Sequence, residues 1–140
     1  MTNAEIIYIG RVEKCEEDFS VIRINEKFLD GLRGLEGFSH VIILYWFHLR
    51  DDPRNRSTLL VHPRGDPRKP LVGVFATRSP SRPNPIGLCV CKIIKVKKNK
   101  IIVSGLDAFV NSPIVDIKPY IPNMDAFPNA KVPAWVKGDG

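Results

Sequence analysis

Two arginines stand in the stiffest part of this sequence. The segment FATRSPSRPNPIGL, residues 75–88, holds three prolines, and Ser79, Arg82 and Asn84 each precede one of them. Proline fixes its own φ angle and pushes the preceding residue towards extended conformations. The segment is therefore predicted to be a rigid loop, neither a helix nor a central strand, that holds out Arg78 and Arg82. A rigid loop carrying guanidinium groups indicates an anion-binding site.

Other polar side chains interrupt apolar runs. His40 and His48 mark the two ends of SHVIILYWFHL, while Asp116, Lys118 and Tyr120 share one face of the strand candidate PIVDIKPY. Each histidine can be a core or strand-end residue, which is the favoured interpretation for His40. The acidic and basic pair can be a solvated row with a weak ion pair. Alternatively, these groups line a site.

A lysine-rich turn follows in KVKKNKII, residues 95–102. Lys97, Lys98 and Lys100 lie at the tip of the hairpin that this pattern predicts. One interpretation is a solvated turn that promotes solubility. The other is a tip that contacts the phosphates of a nucleic acid.

Several familiar chemistries are excluded by pattern. The sequence has no phosphate-binding loop, no glycine-rich turn between a strand and a helix, and no nucleophile elbow. Cys89 and Cys91 lie two apart, which is not the usual zinc-ligand spacing, and Cys15 has no suitable neighbour. We therefore expect buried, structural cysteines, with no disulfide and no metal site.

Composition predicts one soluble domain, residues 1–140. Of its residues, 44% are hydrophobic and 26% are charged, and the net charge of +6 favours a polyanionic partner such as nucleic acid. No apolar run approaches the ~20 residues that cross a bilayer, and no signal-peptide pattern opens the sequence. A cytoplasmic protein without membrane contact is expected.

Alternating apolar residues predict an all-β architecture. The best helix candidate is residues 25–38, with Asn25 as its cap, and the tail after Pro122 is expected to be irregular. Residues 39–49 are apolar on both faces, so this strand is predicted to be central, with one face in a barrel and the other against a second subunit. The predicted strands span residues 5–13, 20–24, 39–49, 59–62, 70–77, 87–97, 100–106 and 113–120.

Three sequence blocks closely resemble one protein family. GVFATRSPSRPNPIGL, LEGFSHVIILYWFH and PIVDIKPYIP resemble the TsaA-like family of tRNA methyltransferases, also called TrmO, and stand in that family's order. Together they cover the chain from about residue 35 to 122, before the tail at 123–140. The resemblance implies a TsaA-like single-sheet β-barrel with one short helix, acting as a homodimer. It also implies methyl transfer from S-adenosylmethionine to N6 of threonylcarbamoyladenosine, at position 37 in the anticodon loop of tRNA.

The same resemblance implies a cofactor site near the subunit interface. Leu49 and Leu88 are expected to sandwich the adenine, while main-chain groups of Asn111 and Ser112 read its edge. Arg82 is a further candidate, because the carboxylate of S-adenosylmethionine suits a guanidinium group. The family's cofactor positions fall on His48, Leu49, Arg78, Leu88, Val110, Asn111, Ser112 and Pro113.

Two segments differ from the family pattern. Many bacterial members have a Pro-Arg-Gln segment near the amino terminus, where this chain reads VEKCEEDFSVIRI. The family's usual Asp-Gly-Thr-Pro turn is VNSP here, at residues 110–113.

Three functional hypotheses stay open at this point. The first is the tRNA methyltransferase, with Asp116 and Tyr120 as candidates for any general base and Lys97, Lys98 and Lys100 as phosphate contacts. The second keeps the methyltransferase but changes the acceptor. The third is a non-catalytic barrel that binds RNA or another ligand.

Overall fold

The computed structural model describes residues 2–136, which divide into two compact units. Residues 2–49 and 86–120 form the barrel unit, and residues 50–85 and 121–136 form the second unit. The eight strands are β1 (Gly10–Cys15), β2 (Ser20–Ile24), β3 (His40–Trp46), β4 (Leu60–Val61), β5 (Val72–Gly73), β6 (Ile86–Lys97), β7 (Lys100–Ser104) and β8 (Pro113–Pro119).

Six strands close into a single antiparallel barrel in the order β1-β2-β7-β6-β3-β8, as the all-β prediction requires. The core comes from one face of each strand, because side chains alternate across a strand. Val41, Ile43 and Tyr45 of β3 point into this core, while the other face of β3 points outward. The buried core residues are Val12, Ile22, Ile24, Leu32, Val41, Ile43, Tyr45, Cys91, Ile101, Val103 and Ile114.

Helices are short in both units. The helix expected at residues 25–38 is instead two 3-10 segments, because Gly34 adopts a φ of 93° between them. Asn25 caps the first segment as predicted, and its side chain accepts a hydrogen bond from the amide of Lys27 at 3.1 Å. The 3-10 segments are Glu26–Leu32, Leu35–Gly37, His48–Arg50, Pro63–Gly65, Val74–Ala76 and Ala134–Val136, and the α-helical turns are α1 (Pro53–Arg56) and α2 (Pro122–Asp125).

The strand predictions are correct in number and less accurate at their ends. The first strand begins at Gly10 rather than residue 5, and β3 ends at Trp46 rather than residue 49. In the second unit, β4 and β5 are reduced to a two-stranded sheet of two residues each. The tail contains α2 and one 3-10 turn, and its last four positions lie outside the described residues.

None of the helices between residues 2 and 136 has the length and apolar content that a bilayer crossing requires.

Candidate functional site

Strand pairing brings three separate segments to one end of the barrel unit. The end of β3 pairs with the start of β6 through Trp46 and Ile86, and with the start of β8 through Tyr45 and Ile114. The residues that follow β3, open β6 and precede β8 therefore lie at the same end. These are the segments of the sequence-predicted cofactor positions His48, Leu49, Leu88, Val110, Asn111, Ser112 and Pro113.

Apolar surface is exposed at this end. Leu49 lies in the 3-10 turn after β3 and is 61% exposed, and Leu88 lies on the outer face of β6 and is 44% exposed. Burying such side chains against a flat apolar ring is favourable at about 25 cal/mol per Å². The two leucines are therefore suited to hold an adenine ring.

The VNSP turn is built around a left-handed residue. Asn111 has a φ of 72°, a conformation in which asparagine is tolerated better than most residues. The family's usual turn has glycine at this place, so asparagine keeps the same backbone shape available. The altered turn therefore preserves the approach to β8.

The main-chain amides of this turn are already occupied. The amide of Asn111 donates to the carbonyl of Val12 at 2.8 Å, and the amide of Ser112 donates to Phe109 at 3.1 Å. These two amides are therefore used within the protein, and the expectation that main-chain groups of Asn111 and Ser112 read an adenine edge stays a prediction that falls to their other main-chain groups. The exposed side chain of Asn111 makes no hydrogen bond within the described part of the chain, so its amide group is available to a ligand.

The outer face carries a row of three residues across three strands. Asp116 of β8 pairs with Leu44 of β3, which pairs in turn with Leu88 of β6. Two strand spacings separate Asp116 from Leu88, about 10 Å. The Asp116 carboxylate forms an ion pair with Lys118 at 2.9 Å and accepts the amide of Ile117 at 2.9 Å.

Tyr120 lies at the other end of β3. Its ring packs against His40, with centroids 6.2 Å apart, and its amide donates to the His40 carbonyl at 3.2 Å. Four residues of strand separate His40 from Leu44, about 14 Å. Of the two candidate bases, only Asp116 lies in the row that contains Leu88.

The proline loop in the second unit is held by Arg82. Its guanidinium donates to the carbonyls of Val74 at 2.9 Å, Thr77 at 3.1 Å and Ser79 at 3.1 Å. Arg82 therefore has a structural role in the loop, and its candidate role as a ligand contact stays a prediction for the donors that the loop does not use. Arg78 is exposed and makes no hydrogen bond or ion pair within the described residues, so its guanidinium is available to an anion.

The same loop is braced against α1. Ser81 is buried, and its hydroxyl donates to Asn55 Oδ1 at 2.6 Å. Arg56 Nε donates to the carbonyl of Pro83 at 2.8 Å. These contacts explain in physical terms why the loop is rigid, as the prolines predict.

The lysines of the β6–β7 turn differ from one another. Lys98 has a φ of 54° at the tip, and Lys97 and Lys98 are exposed. Lys100 instead forms an ion pair with Glu13 at 3.3 Å. Glu13 also accepts a hydrogen bond from Arg23 Nε, and these partners hold the pKa of its carboxyl below the usual value.

The rings of Tyr45 and Phe47 pack together near the end of β3, and the sequence did not predict this contact. The Tyr45 hydroxyl donates to the carbonyl of Asp107, and the Tyr45 ring meets Phe47 edge-on at 5.3 Å between centroids. Burial and the nearby Asp107 carboxylate raise the pKa of Tyr45 to about 12. Gly87, opposite Tyr45 in the ladder, leaves the space that these rings fill.

All three cysteines are free thiols. Cys91 is buried as predicted and Cys89 is half-buried, donating to the carbonyl of Gly105 at 3.0 Å. Cys15 is exposed, so the expectation of burial is wrong for this residue, because β1 turns it away from the core near its end. Within residues 2–136, no three His, Cys, Asp or Glu side chains are grouped to hold a metal ion.

The fold defines a class: one unit of the chain is a closed, six-stranded antiparallel barrel with exposed apolar residues at one end. The chain matches the tRNA-methyltransferase O N-terminal domain over residues 11–126, and it belongs to that family. The family resemblance and the barrel prediction are both confirmed.

Known proteins similar to this chain come from all three domains of life. A probable S-adenosyl-L-methionine-binding protein of Methanocaldococcus jannaschii is 48% identical over 84% of this chain and 92% of its own. A tRNA (adenine(37)-N6)-methyltransferase of Rattus norvegicus is 39% identical over 80% of this chain and 26% of its own. The crystal structure of TrmO from Pseudomonas aeruginosa superposes with a TM-score of 0.72 at 29% identity, covering 93% of this chain and 61% of that one.

Proposed function

We propose that this chain is an S-adenosylmethionine-dependent methyltransferase that modifies tRNA, with residues 1–140 acting as one functional domain. The family match and the names of the relatives support the proposal. The observation that carries it is the meeting of three segments at one end of the barrel, which brings exposed Leu49 and Leu88 to the same end as the turn that contains Asn111.

The residues at this end suit the adenosine part of the cofactor. Leu49 and Leu88 pack on the two faces of the adenine, and the side-chain amide of Asn111 forms hydrogen bonds with its polar edge. His48 begins the turn that presents Leu49. Val110, Ser112 and Pro113 fix the turn that presents Asn111.

Arg78 is the proposed contact for the cofactor's carboxylate. A guanidinium group binds a carboxylate through two parallel hydrogen bonds, which are among the stronger polar contacts in proteins. Arg82 is the second candidate for this contact, because three loop carbonyls already use three of its five donors.

When bound, S-adenosylmethionine supplies a methyl group on a positively charged sulfur. The protein's main task is to hold the acceptor nitrogen in line with that methyl group, since orientation lowers the barrier most. Asp116 is the proposed base, and its carboxylate takes the proton that leaves the acceptor nitrogen as the new N–C bond forms. Tyr120, which follows β8 and packs against His40, is the second candidate.

The proposed acceptor is N6 of threonylcarbamoyladenosine at position 37, in the anticodon loop. Bases in single-stranded loops can be unstacked and presented to an enzyme. Lys97 and Lys98 at the exposed β6–β7 tip are proposed to contact phosphates. Lys100 contributes less, because Glu13 neutralises it. A cytoplasmic location is part of the proposal, because it is consistent with a tRNA-modifying enzyme.

A homodimer is proposed through the outer face of β3 and β6. Ile42 pairs with Val90 and Leu44 pairs with Leu88, so four apolar side chains form one patch. Leu88 and Val90 are 44% and 45% exposed. A second copy covers this patch, and the cofactor contact of Leu88 then lies near the subunit interface.

Nucleoside analysis of tRNA from a deletion strain tests the proposed substrate. We expect N6-methylated threonylcarbamoyladenosine to disappear and to return when the wild-type chain is supplied. Complementation with Asp116→Asn provides the matched variant, and it should restore the modification poorly. Normal levels in the deletion strain would overturn the proposed acceptor.

Calorimetry with S-adenosylhomocysteine tests the enzyme class separately. Binding is expected at or below millimolar ligand. If none is detected at that concentration, methyl transfer is ruled out and a non-catalytic barrel is left.

A further inference from the structure

The charge of this protein is unevenly distributed along the chain. Residues 50–85 hold eight lysines and arginines against three aspartates, which is +5 of the total +6. The barrel unit holds eleven basic residues against ten acidic ones. The second unit is therefore the electropositive part of the molecule.

Part of this charge is used to build the unit, and part is presented to solvent. Arg56 pairs with Asp51 at 3.2 Å, Arg68 pairs with Asp66 at 2.9 Å, and Arg82 holds the proline loop. Arg78 is exposed, with no hydrogen bond or ion pair to any described residue. The positive field is thus only partly neutralised inside the unit.

An aromatic ring stands out from this unit three residues before Arg78. Phe75 is 79% exposed, the highest value among the large apolar side chains of the described chain. Its backbone is fixed, because the preceding carbonyl of Val74 accepts the Thr77 amide at 3.1 Å, the Thr77 hydroxyl at 2.8 Å and Arg82 at 2.9 Å. The side chain of Val74 itself is buried, whereas the ring of the next residue, Phe75, is exposed to solvent.

We propose that Phe75 stacks on an unpaired base of single-stranded RNA, whose backbone is attracted by the net charge of +5 on residues 50–85. This inference rests on the proposed function and names a surface that holds the substrate RNA. Aromatic rings are the usual platforms for unpaired bases, and a basic surround attracts the backbone. The backbone that carries the ring is already held by hydrogen bonds, so the entropy lost on binding is mainly that of the side-chain rotamers.

Charge argues against a second copy of this chain as the occupant. Dimers usually form isologous contacts, in which the same patch meets itself. Such a contact here would set a +5 segment against another +5 segment. A polyanion is complementary to the same surface.

The test compares variants in binding to a fluorescent anticodon stem–loop RNA and to a continuous duplex of the same stem. Phe75→Ala is expected to weaken stem–loop binding by about 5- to 100-fold, the usual effect of losing one stacked base. Duplex binding should hardly change. Phe75→Tyr should bind as wild type. Phe127→Ala removes an equally exposed ring of the same unit (71% exposed) and should have no effect.

A spectroscopic variant reports the contact directly. Phe75→Trp should lose indole fluorescence when the stem–loop RNA is added and keep it when the duplex is added. Wild-type affinity of Phe75→Ala for the stem–loop, while the wild type binds and methylates tRNA, would overturn the inference alone. A change in sedimentation rather than RNA affinity would also overturn it, in favour of a protein contact. Failure of the wild-type chain to bind RNA would overturn the proposed substrate together with the inference.

Discussion

At the residue scale, the prolines of the loop remove main-chain hydrogen-bond donors, and Arg82 supplies side-chain donors to the loop carbonyls. Three prolines between residues 80 and 85 remove backbone donors, which leaves fewer main-chain partners for the carbonyls of the loop. The five-donor fork of an arginine can reach several carbonyls at once. Arg82 does so with Val74, Thr77 and Ser79, and the loop becomes stiff enough to fix its neighbours.

Substitutions of the two loop arginines are therefore expected to have different effects, one on ligand binding and the other on stability. Arg78→Ala should weaken S-adenosylhomocysteine binding by about 1.5–3 kcal/mol, the value of one charge-assisted contact, and leave the melting temperature unchanged. Arg82→Ala should lower the free energy of unfolding by about 1–3 kcal/mol, since the carbonyls of Thr77 and Ser79 lose this donor and the carbonyl of Val74 loses one of three. Calorimetry and thermal melting measure the two effects.

Arg68→Ala is the control for this pair, because its ion pair with Asp66 is at the surface and the side chain is 89% exposed. It should change neither quantity. Normal cofactor binding by Arg78→Ala would show that this arginine serves another ligand.

The sequence predicted a rigid loop, but it did not predict that Arg82 would bind the loop carbonyls while Arg78 is exposed. Stiffness follows from local chemistry, because each proline restricts its own φ and the residue before it. Which guanidinium turns inward depends on where three carbonyls lie in space. The sequence does contain a signal for this role. Prolines lack a backbone N–H, so a side-chain hydrogen-bond donor is expected near a segment that contains three of them.

At the element scale, the site depends on the pairing of β3 with its two neighbours. Alternating apolar residues were enough to predict eight strands, but the order of strands in a barrel is a long-range property. The ladder joins Tyr45 to Gly87 on one side and to Ile114 on the other. The family resemblance identified the segments of the proposed site from the sequence. The strand pairing explains in physical terms why these segments lie at the same end of the barrel.

Gly87 is the position where this ladder is most sensitive. A Cβ here would lie 2.7 Å from ring atoms of both Phe47 and Tyr45. Gly87→Ala should therefore lower the free energy of unfolding by about 1–3 kcal/mol, the usual cost of overpacking. Urea unfolding followed by tryptophan fluorescence measures it.

Gly31→Ala is the matched control, because nothing lies within 4 Å of its added Cβ. Its unfolding midpoint should equal or slightly exceed that of the wild type. Equal midpoints for Gly87→Ala and the wild type would mean that the rings move aside without cost.

At the scale of the whole molecule, the apolar outer face of β3 and β6 calls for a partner. Contiguous exposed apolar residues on a sheet usually mark an interface. The sequence predicted this from the two apolar faces of one strand, since a barrel buries only one of them. It did not predict which neighbouring strand completes the patch, because that depends on the β3–β6 register.

Val90→Glu tests the proposed homodimer at its centre. The residue is 45% exposed and lies opposite Ile42, so a carboxylate there would be buried without a partner in the dimer. We expect the wild type to sediment as a dimer and Val90→Glu as a folded monomer. Leu29→Glu, at a similarly exposed leucine (41%) in the 3-10 segment Glu26–Leu32, should remain dimeric. Because Leu88 belongs to the same patch and to the proposed cofactor site, the monomer should also bind S-adenosylhomocysteine more weakly. A wild-type chain that sediments as a monomer would contradict the proposed dimer, and full cofactor affinity in monomeric Val90→Glu would separate the cofactor site from the interface.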